Sequence, residues 1–421
     1  MRCLVQRETR TKRVTKEVKM FILKKLWCRT FQTAFRIALP ILPYREPKII
    51  PSTAELGSVL KSEGAKTVLI VTDPGIVKLG LTAPITEALE KADIKYALYD
   101  KTQPNPTVDN VEEALKLYTG HSCEAIIAIG GGSAMDCAKA LGARIAYPKK
   151  TVGKMGGVMK VLRRIPTLIA IPTTAGTGSE TTLAAVITDS ETHHKYALMS
   201  FTLIPRYAVL DAALTYTLPP HLTSTTGMDA LTHAVEAFIG RSTTKETRRL
   251  AKEATKLVFE NIEAAYSNGG DHAARENMLL AAYKAGIAFS KSYVGYVHAI
   301  AHSLGGKYGT PHGLANAVIL PYVLEEYGKS AQKKLHRLAI TIGISTEEDS
   351  HEIGANKFIE AIKRLNEKMN IPTKISAIVP EDVPALAAHA EHEANPLYPV
   401  PKLMTIPELE KIYYRIADIK K

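Results

Sequence analysis

Cysteine is scarce in this chain, with Cys3, Cys28, Cys123 and Cys137 the only four in 421 residues. None forms a Cys-x-x-Cys pair and the spacing suggests no disulfide framework, so a reducing cytoplasm is the expected setting. Without clustered thiolates a zinc-finger or iron–sulfur role is disfavoured. Long apolar runs are missing too. No uninterrupted stretch approaches the roughly twenty residues of a membrane-spanning helix, and no integral membrane segment is expected.

Positive charge is abundant only at one end. Of a net +12, residues 1–45 supply +10, with 12 Lys/Arg against 2 Asp/Glu. The rest of the chain is close to neutral and lacks the electrostatic footprint of a nucleic-acid-binding protein. A hydrophobic content of 46% and a charged content of 23% are those of a soluble globular protein. The length is sufficient for two or three domains with a large core.

Three regions are expected: a basic extension over 1–45, an α/β domain over 46–220 and an all-helical domain over 221–421. Residues 1–19 are polar and without periodicity. Lys16-Glu17-Val18-Lys19 can be encoded by a ribosome-binding sequence just upstream of Met20, so translation is expected to begin at Met20, the alternative being a disordered basic tail. From Met20 to Ala38, Leu23, Trp27, Phe31, Phe35 and Ala38 recur at helical spacing, with Lys24, Lys25, Arg29 and Arg36 elsewhere on the wheel. Two readings compete: an arm packed on the body or on a second subunit, and a docking helix for a membrane surface or a partner protein.

Between Pro47 and Pro220 short apolar strands (Thr67–Thr72, Lys95–Tyr99, Ala125–Ile129, Thr167–Ile171, Ala184–Thr188, Ala208–Leu210) alternate with helical stretches. That alternation predicts a largely parallel sheet covered by helices, with ligands outside the carboxyl ends of its strands. Two glycine-rich turns fall there. In the first, Gly130-Gly131-Gly132-Ser133 lies between a strand and a helix, where backbone N–H groups and the helix dipole can meet a pyrophosphate. Asp136, in the first helical turn, is expected to fix the loop. In the second, Pro172-Thr173-Thr174-Ala175-Gly176-Thr177-Gly178-Ser179-Glu180-Thr181-Thr182 interleaves hydroxyls with glycine, which suits a cofactor but also an ordinary polar loop. Asp73 ends the first strand; it is either a turn residue or a carboxylate for ribose hydroxyls, which would favour NAD over NADP.

Beyond Pro220 the strand pattern gives way to helices. Asp229 and His233, four apart, share a helix face, as do His298 and His302. Gly305, Gly306, Gly309 and Pro311 are expected to stop the second helix, so that His312 can return to where His298 sits. Each half alone reads as a solvated pair or as core histidines. Together, Asp229, His233, His298 and His312 form a carboxylate-and-imidazole set suited to Fe(II), Zn(II), Co(II) or Ni(II). His221, His272, His336, His351, His389 and His392 fall in polar surroundings and are expected at the surface, and His193 and His194 in a solvated loop.

The runs Gly227-Met228-Asp229-Ala230-Leu231-Thr232-His233 and His298-x3-His302-x9-His312 closely resemble the two signatures of the iron-dependent (group III) alcohol dehydrogenases. The resemblance extends from about Asp73 to the C-terminus. It implies an N-terminal dinucleotide-binding α/β domain, a C-terminal helical domain in a dehydroquinate-synthase-like architecture, a metal in the cleft and a homodimer. It further implies Fe(II), with Zn(II) as the alternative, and NAD. Cofactor contacts are implied for Asp73, Asn105, Gly131, Gly132, Ser133, Asp136, Thr173, Thr174, Thr182 and Lys195. His302 matches a non-ligand histidine of the pocket, which suggests a proton relay or substrate contact over a mere orienting role. The activity implied is hydride transfer between NAD(H) and a small primary alcohol, diol or aldehyde. Rivals are a glycerol-dehydrogenase-like zinc enzyme, a phosphate-eliminating lyase of the dehydroquinate synthase type and a non-catalytic scaffold docked through Met20–Ala38. Intact-mass measurement of natively expressed protein should give a chain starting at Met20; a mass that includes residues 1–19 contradicts this.

Overall fold

A computed structural model describes residues 22–192 and 194–418. The basic tail, the Met20 start and His193 lie outside the described residues. The main sheet is built from β1 (Lys48–Ile50), β2 (Thr67–Val71), β3 (Lys95–Tyr99), β4 (Ala125–Gly130), β6 (Thr167–Pro172) and β9 (Tyr207–Val209). Its order is β1-β9-β6-β4-β2-β3, and every neighbouring pair is parallel. Both faces of the inner strands β2, β4, β6 and β9 are buried, which explains why these are apolar rather than alternating, while the edge strands β1 and β3 are partly exposed. Leu69 and Val71 enter one core while Val68 and Ile70 enter the other.

β5 (Gly157–Val158), β7 (Ala184–Thr188) and β8 (Lys195–Met199) form a separate three-stranded sheet in the order β5-β8-β7. This departs from the sequence reading, which placed Ala184–Thr188 in the parallel sheet. β7 instead pairs antiparallel with β8, a strand masked in the sequence by Lys195 at its start and the polar residues just before it. Beyond Pro220 the long elements are helical, as expected from the pattern, and the described helices Pro220–Ile239, Lys245–Ser267, His272–Ser292, Tyr296–Tyr308 and His312–Tyr327 share one large core.

The chain reverses direction across the sheet beside β4, since β3 lies on one side of β2 and β4 on the other. The turn after β4 and the loop after β6 therefore meet at the carboxyl edge, where Gly130 pairs with Pro172 and the Thr173 N–H donates to the Gly130 carbonyl at 3.1 Å. A buried lysine braces the two. Lys139, in the helix Gly132–Ala146, is fully buried and its Nζ donates to Ser179 O (2.7 Å), Ser179 Oγ (3.0 Å), Thr182 Oγ1 (2.7 Å) and Ala184 O (2.9 Å). Burial pulls its pKa down to about 8 against the opposing pull of Asp136 and Glu180. The far side of the loop rests on the helical domain through glycines. A Cβ at Gly178 would lie 2.7 Å from Gly286 Cα, and one at Gly176 would lie 2.6 Å from Thr226 Cβ.

Residues 22–38 are helical and packed on the helical domain. Cys28 and Gln32 are buried there, and Phe35 sits 5.0 Å from the Tyr293 ring. The packed-arm reading fits, but with a different stripe: Leu23 and Trp27 face outward. His336 also differs from expectation. It is 2% exposed, held by Thr346 O at 2.8 Å and by His351 Nδ1 at 3.1 Å. Removing the Lys139 ammonium leaves its buried partners unsatisfied, so Lys139→Met should lower stability by about 3–5 kcal/mol. Urea denaturation checks this; a loss below about 1 kcal/mol would contradict the brace.

Candidate metal centre and cofactor cleft

Three helices bring the four sequence-predicted ligands together. Asp229 and His233 project from successive turns of Pro220–Ile239, His298 comes from Tyr296–Tyr308, and His312 opens the next helix after Pro311. Each offers one donor atom, and these atoms lie within 4.8 Å of one another. Asp229 Oδ1 is 3.5 Å from His312 Nε2 and 3.8 Å from His298 Nε2. The intervening chain turns differently from the expectation: Gly305 and Gly306 stay helical, and the helix ends only at Gly309.

The electrostatics suit a cation. Desolvation drives the pKa of His298 well below its ordinary value, lowers that of His233 and brings His312 down to about 4. All three imidazoles are thereby neutral and able to ligate. Asn316 adds an independent sign. Its Nδ2 stands 2.7 Å from Asp229 Oδ1, 3.0 Å from His312 Nε2 and 3.3 Å from His298 Nε2, while its Oδ1 is buried without a partner. An amide with two hydrogens cannot serve three acceptors, so the donor set is under-satisfied by protein alone. One carboxylate, three neutral imidazoles and this deficit together fit a divalent ion. Three ligands are buried, whereas the His312 side chain is 39% exposed, leaving an open side.

Glu236 escaped the sequence reading although it lies seven residues after Asp229 and three after His233, on the same helix face. It is 3% exposed, and its Oε2 accepts from Gly295 N at 2.8 Å and holds His298 Nδ1 at 2.6 Å, while Oε1 accepts from Val297 N at 2.8 Å. One carboxylate thus caps the helix that carries His298 and fixes the ring so that Nε2 faces the cluster. Burial pushes its pKa up to about 7 against the pull of those N–H groups. Glu393 was missed for a plainer reason, being distant in sequence. Its Oε1 holds His302 Nδ1 at 2.6 Å and accepts from Tyr398 OH at 2.8 Å. His302 itself is outside the four-ligand group, stacked beside His312 with ring centroids 5.2 Å apart. Desolvation would lower its pKa, but the Glu393 carboxylate prevails and the net shift is upward. Phe289 stacks on His233 at 4.1 Å and closes one wall.

The cofactor candidates gather at the carboxyl edge of the sheet. Gly131 caps the helix Gly132–Ala146, the Ser133 hydroxyl accepts from Asn105 N at 3.3 Å, and Lys195 Nζ donates to Asn105 Oδ1 at 3.0 Å. Thr174 lies against Gly131, and Thr173 is tied to Gly130. Asp73 caps the helix Pro74–Lys78 through Oδ1, which accepts from Gly75 N and Ile76 N at 2.8 and 3.1 Å, with Oδ2 beside Gly130. Asp136 and Thr182 face the loop itself. The former accepts from Ser179 Oγ and Val186 N, and the latter accepts from Lys139, so both act as braces.

Glu236→Gln, which keeps the shape but not the charge, should weaken metal binding about tenfold, and Glu236→Ala about a hundredfold. Competition against a chelator measures both; unchanged affinities would show that His298 is oriented by other means.

Comparison with known proteins supplies the remaining constraint. Residues 51–212 match the family description "Iron-containing alcohol dehydrogenase", and residues 223–417 match "Fe-containing alcohol dehydrogenase family, C-terminal". The chain is 41% identical over 344 residues to alcohol dehydrogenase 4 of Saccharomyces cerevisiae, covering 81% of this chain and 88% of that one. It is 37% identical over 338 residues to the NAD-dependent methanol dehydrogenase of Bacillus methanolicus, covering 80% and 88%. A solved 1,3-propanediol oxidoreductase superposes with a TM-score of 0.85 at 34% identity, over 89% of this chain and 98% of that one. Both halves of the fold and the ligand-bearing helices lie within these matches, and the chain belongs to the iron-containing alcohol dehydrogenase family, a family of oxidoreductases.

Proposed function

We propose that this enzyme is an alcohol dehydrogenase and aldehyde reductase that moves hydride between NAD(H) and a small primary alcohol, diol or aldehyde. The observation that carries the reading is the four-ligand cluster next to a loop rich in hydroxyls and glycine: Thr226, one turn before Asp229, is the residue against which Gly176 packs. The relatives named for methanol and 1,3-propanediol support the small-substrate class. Residues 46–220 would hold the cofactor and 221–421 the metal, in a cytoplasmic homodimer.

When bound, Fe(II) would supply Lewis acidity toward the alcohol oxygen, and NAD would accept the hydride. Asp229, His233, His298 and His312 would hold the ion, with Zn(II) sharing the same donor preferences. Asp229 lowers the net charge of the site, and Glu236 keeps His298 in its ligating tautomer. His302, on the open side and braced by Glu393, is suited to pass the hydroxyl proton between the substrate and water. Phe289 shields the His233 side of the cleft from solvent. Gly131, Gly132 and Ser133 would bind the pyrophosphate, Asn105 and Lys195 the ribose and phosphates, Thr173 and Thr174 would line the nicotinamide side, Thr182 and Asp136 would hold the loop in place, and Asp73 would meet the adenosine ribose.

Anaerobically purified protein should contain about one divalent metal per chain and reduce NAD with short primary alcohols or diols, and a chelator should abolish the reaction. NADH should outperform NADPH, with Asp73→Gly narrowing the gap. His302→Ala should lower turnover about a hundredfold and alter its pH profile. Absence of alcohol-dependent NADH formation in the metal-loaded enzyme would refute the assignment, and an unchanged His302→Ala profile would remove the relay.

A further inference from the structure

The helix over residues 22–38 has two faces of different character. One is clamped to the helical domain. Arg29 donates to Val400 O at 2.7 Å and to Pro401 O at 3.0 Å, Gln32 Nε2 donates to Tyr398 O at 2.8 Å, and Ser242 Oγ donates to Gln32 O at 2.9 Å. The opposite face is turned to solvent. At about 100° per residue, Ile22, Leu23, Leu26, Trp27 and Ile37 fall on one arc, and they are 57, 67, 64, 60 and 73% exposed. Thr30, Thr33 and Ala34 fill that arc, so it holds no charged side chain, and Ile41, 83% exposed, follows directly. Single exposed apolar residues are ordinary on a protein surface, but four clustered at Ile22, Leu23, Leu26 and Trp27, continued by an uncharged strip to Ile37, mark an interface.

The charges beside the row identify what it meets. Lys25 and Arg36 are exposed along its flank, and from residue 22 to Arg45 there is no aspartate or glutamate. Two copies docked through this face would set cations against cations with no acid in the segment to offset them. A lipid bilayer with anionic headgroups offers both what the row needs and what its flank needs. It has an apolar layer for the isoleucines and leucines, an interfacial zone that favours tryptophan, and negative charge for the bases. The helix is suited to lie in the interface rather than to cross it, since no described helix is long and apolar enough to span a membrane. Its clamped inner face presents the apolar row outward as one rigid edge of the enzyme.

We propose that the outward face of the helix over 22–38 docks this enzyme onto bilayer surfaces that carry anionic headgroups. Trp27, the only tryptophan in the chain, reports on the contact directly. Full-length protein mixed with phosphatidylcholine/phosphatidylglycerol vesicles should sediment with them, and its Trp27 emission should shift to the blue. Binding should fall about tenfold with pure phosphatidylcholine or at about 0.5 M salt. The variant L23Q/L26Q/I37Q, altered only at exposed sites, should lose binding while its alcohol oxidation is unchanged; K25Q/R36Q should keep the fold and weaken binding to the anionic vesicles. No emission shift and no sedimentation with the anionic vesicles would overturn the proposal. So would a concentration-dependent shift without lipid, which marks a second copy on the face, or vesicle binding by the triple variant equal to that of the parent.

Discussion

A carboxylate and three neutral imidazoles, drawn from three helices into a space under 5 Å across, are held there by packing and by one further carboxylate. That convergence is what the helical half of the molecule is built to maintain. The helix Pro220–Ile239 contributes Asp229 and His233 at successive turns and the helix Tyr296–Tyr308 contributes His298, and Glu236 joins the two by binding the first backbone N–H groups of the second helix together with His298. The same desolvation that makes the site costly to leave empty keeps the imidazoles unprotonated. A lone buried carboxylate would be destabilising in such surroundings, whereas a divalent ion offsets it and uses every donor.

The α/β half contributes position rather than ligands. Its parallel sheet delivers two turns to a common edge, and Lys139 ties them together from beneath with four hydrogen bonds. The second turn then touches both the helix of Asp229, at Gly176, and the helix His272–Ser292, at Gly178. Side chains larger than hydrogen at those two positions would push the loop away from the metal-binding helices. The geometry of the cleft between the halves therefore depends on close backbone contacts as much as on the polar groups that line it.

The sequence made the ligand set legible because helical spacing of four carries unambiguous facial information, and because Asp229, His233 and His298 occur in otherwise apolar runs. Five of the six strands of the main sheet were readable from their short apolar runs; β1 (Lys48–Ile50) was not, being three residues long with two of them exposed. The small second sheet was not, since β8 opens with Lys195 directly after the polar His194 and its pairing to β7 depends on tertiary contacts. Glu236 was within reach of the same facial reasoning that found Asp229, but nothing local reveals that a glutamate will be buried against a distant helix end. Glu393 belongs to the site through long-range packing alone, whereas Asn316, four residues after His312 on the same helix, was within reach of facial spacing. In the N-terminal helix, apolar spacing pointed to burial for Leu23 and Trp27, yet the buried side is formed by Cys28, Gln32 and Phe35, because the receiving surface offers backbone carbonyls at Val400 and Pro401.

X-ray absorption at the metal edge of anaerobically purified enzyme tests the central claim most directly. The account predicts a first shell of about three imidazole nitrogens and one carboxylate oxygen at about 2.0–2.2 Å, with one fewer imidazole in His298→Ala. A shell that contains sulfur, or one unaltered by loss of His298, would contradict it.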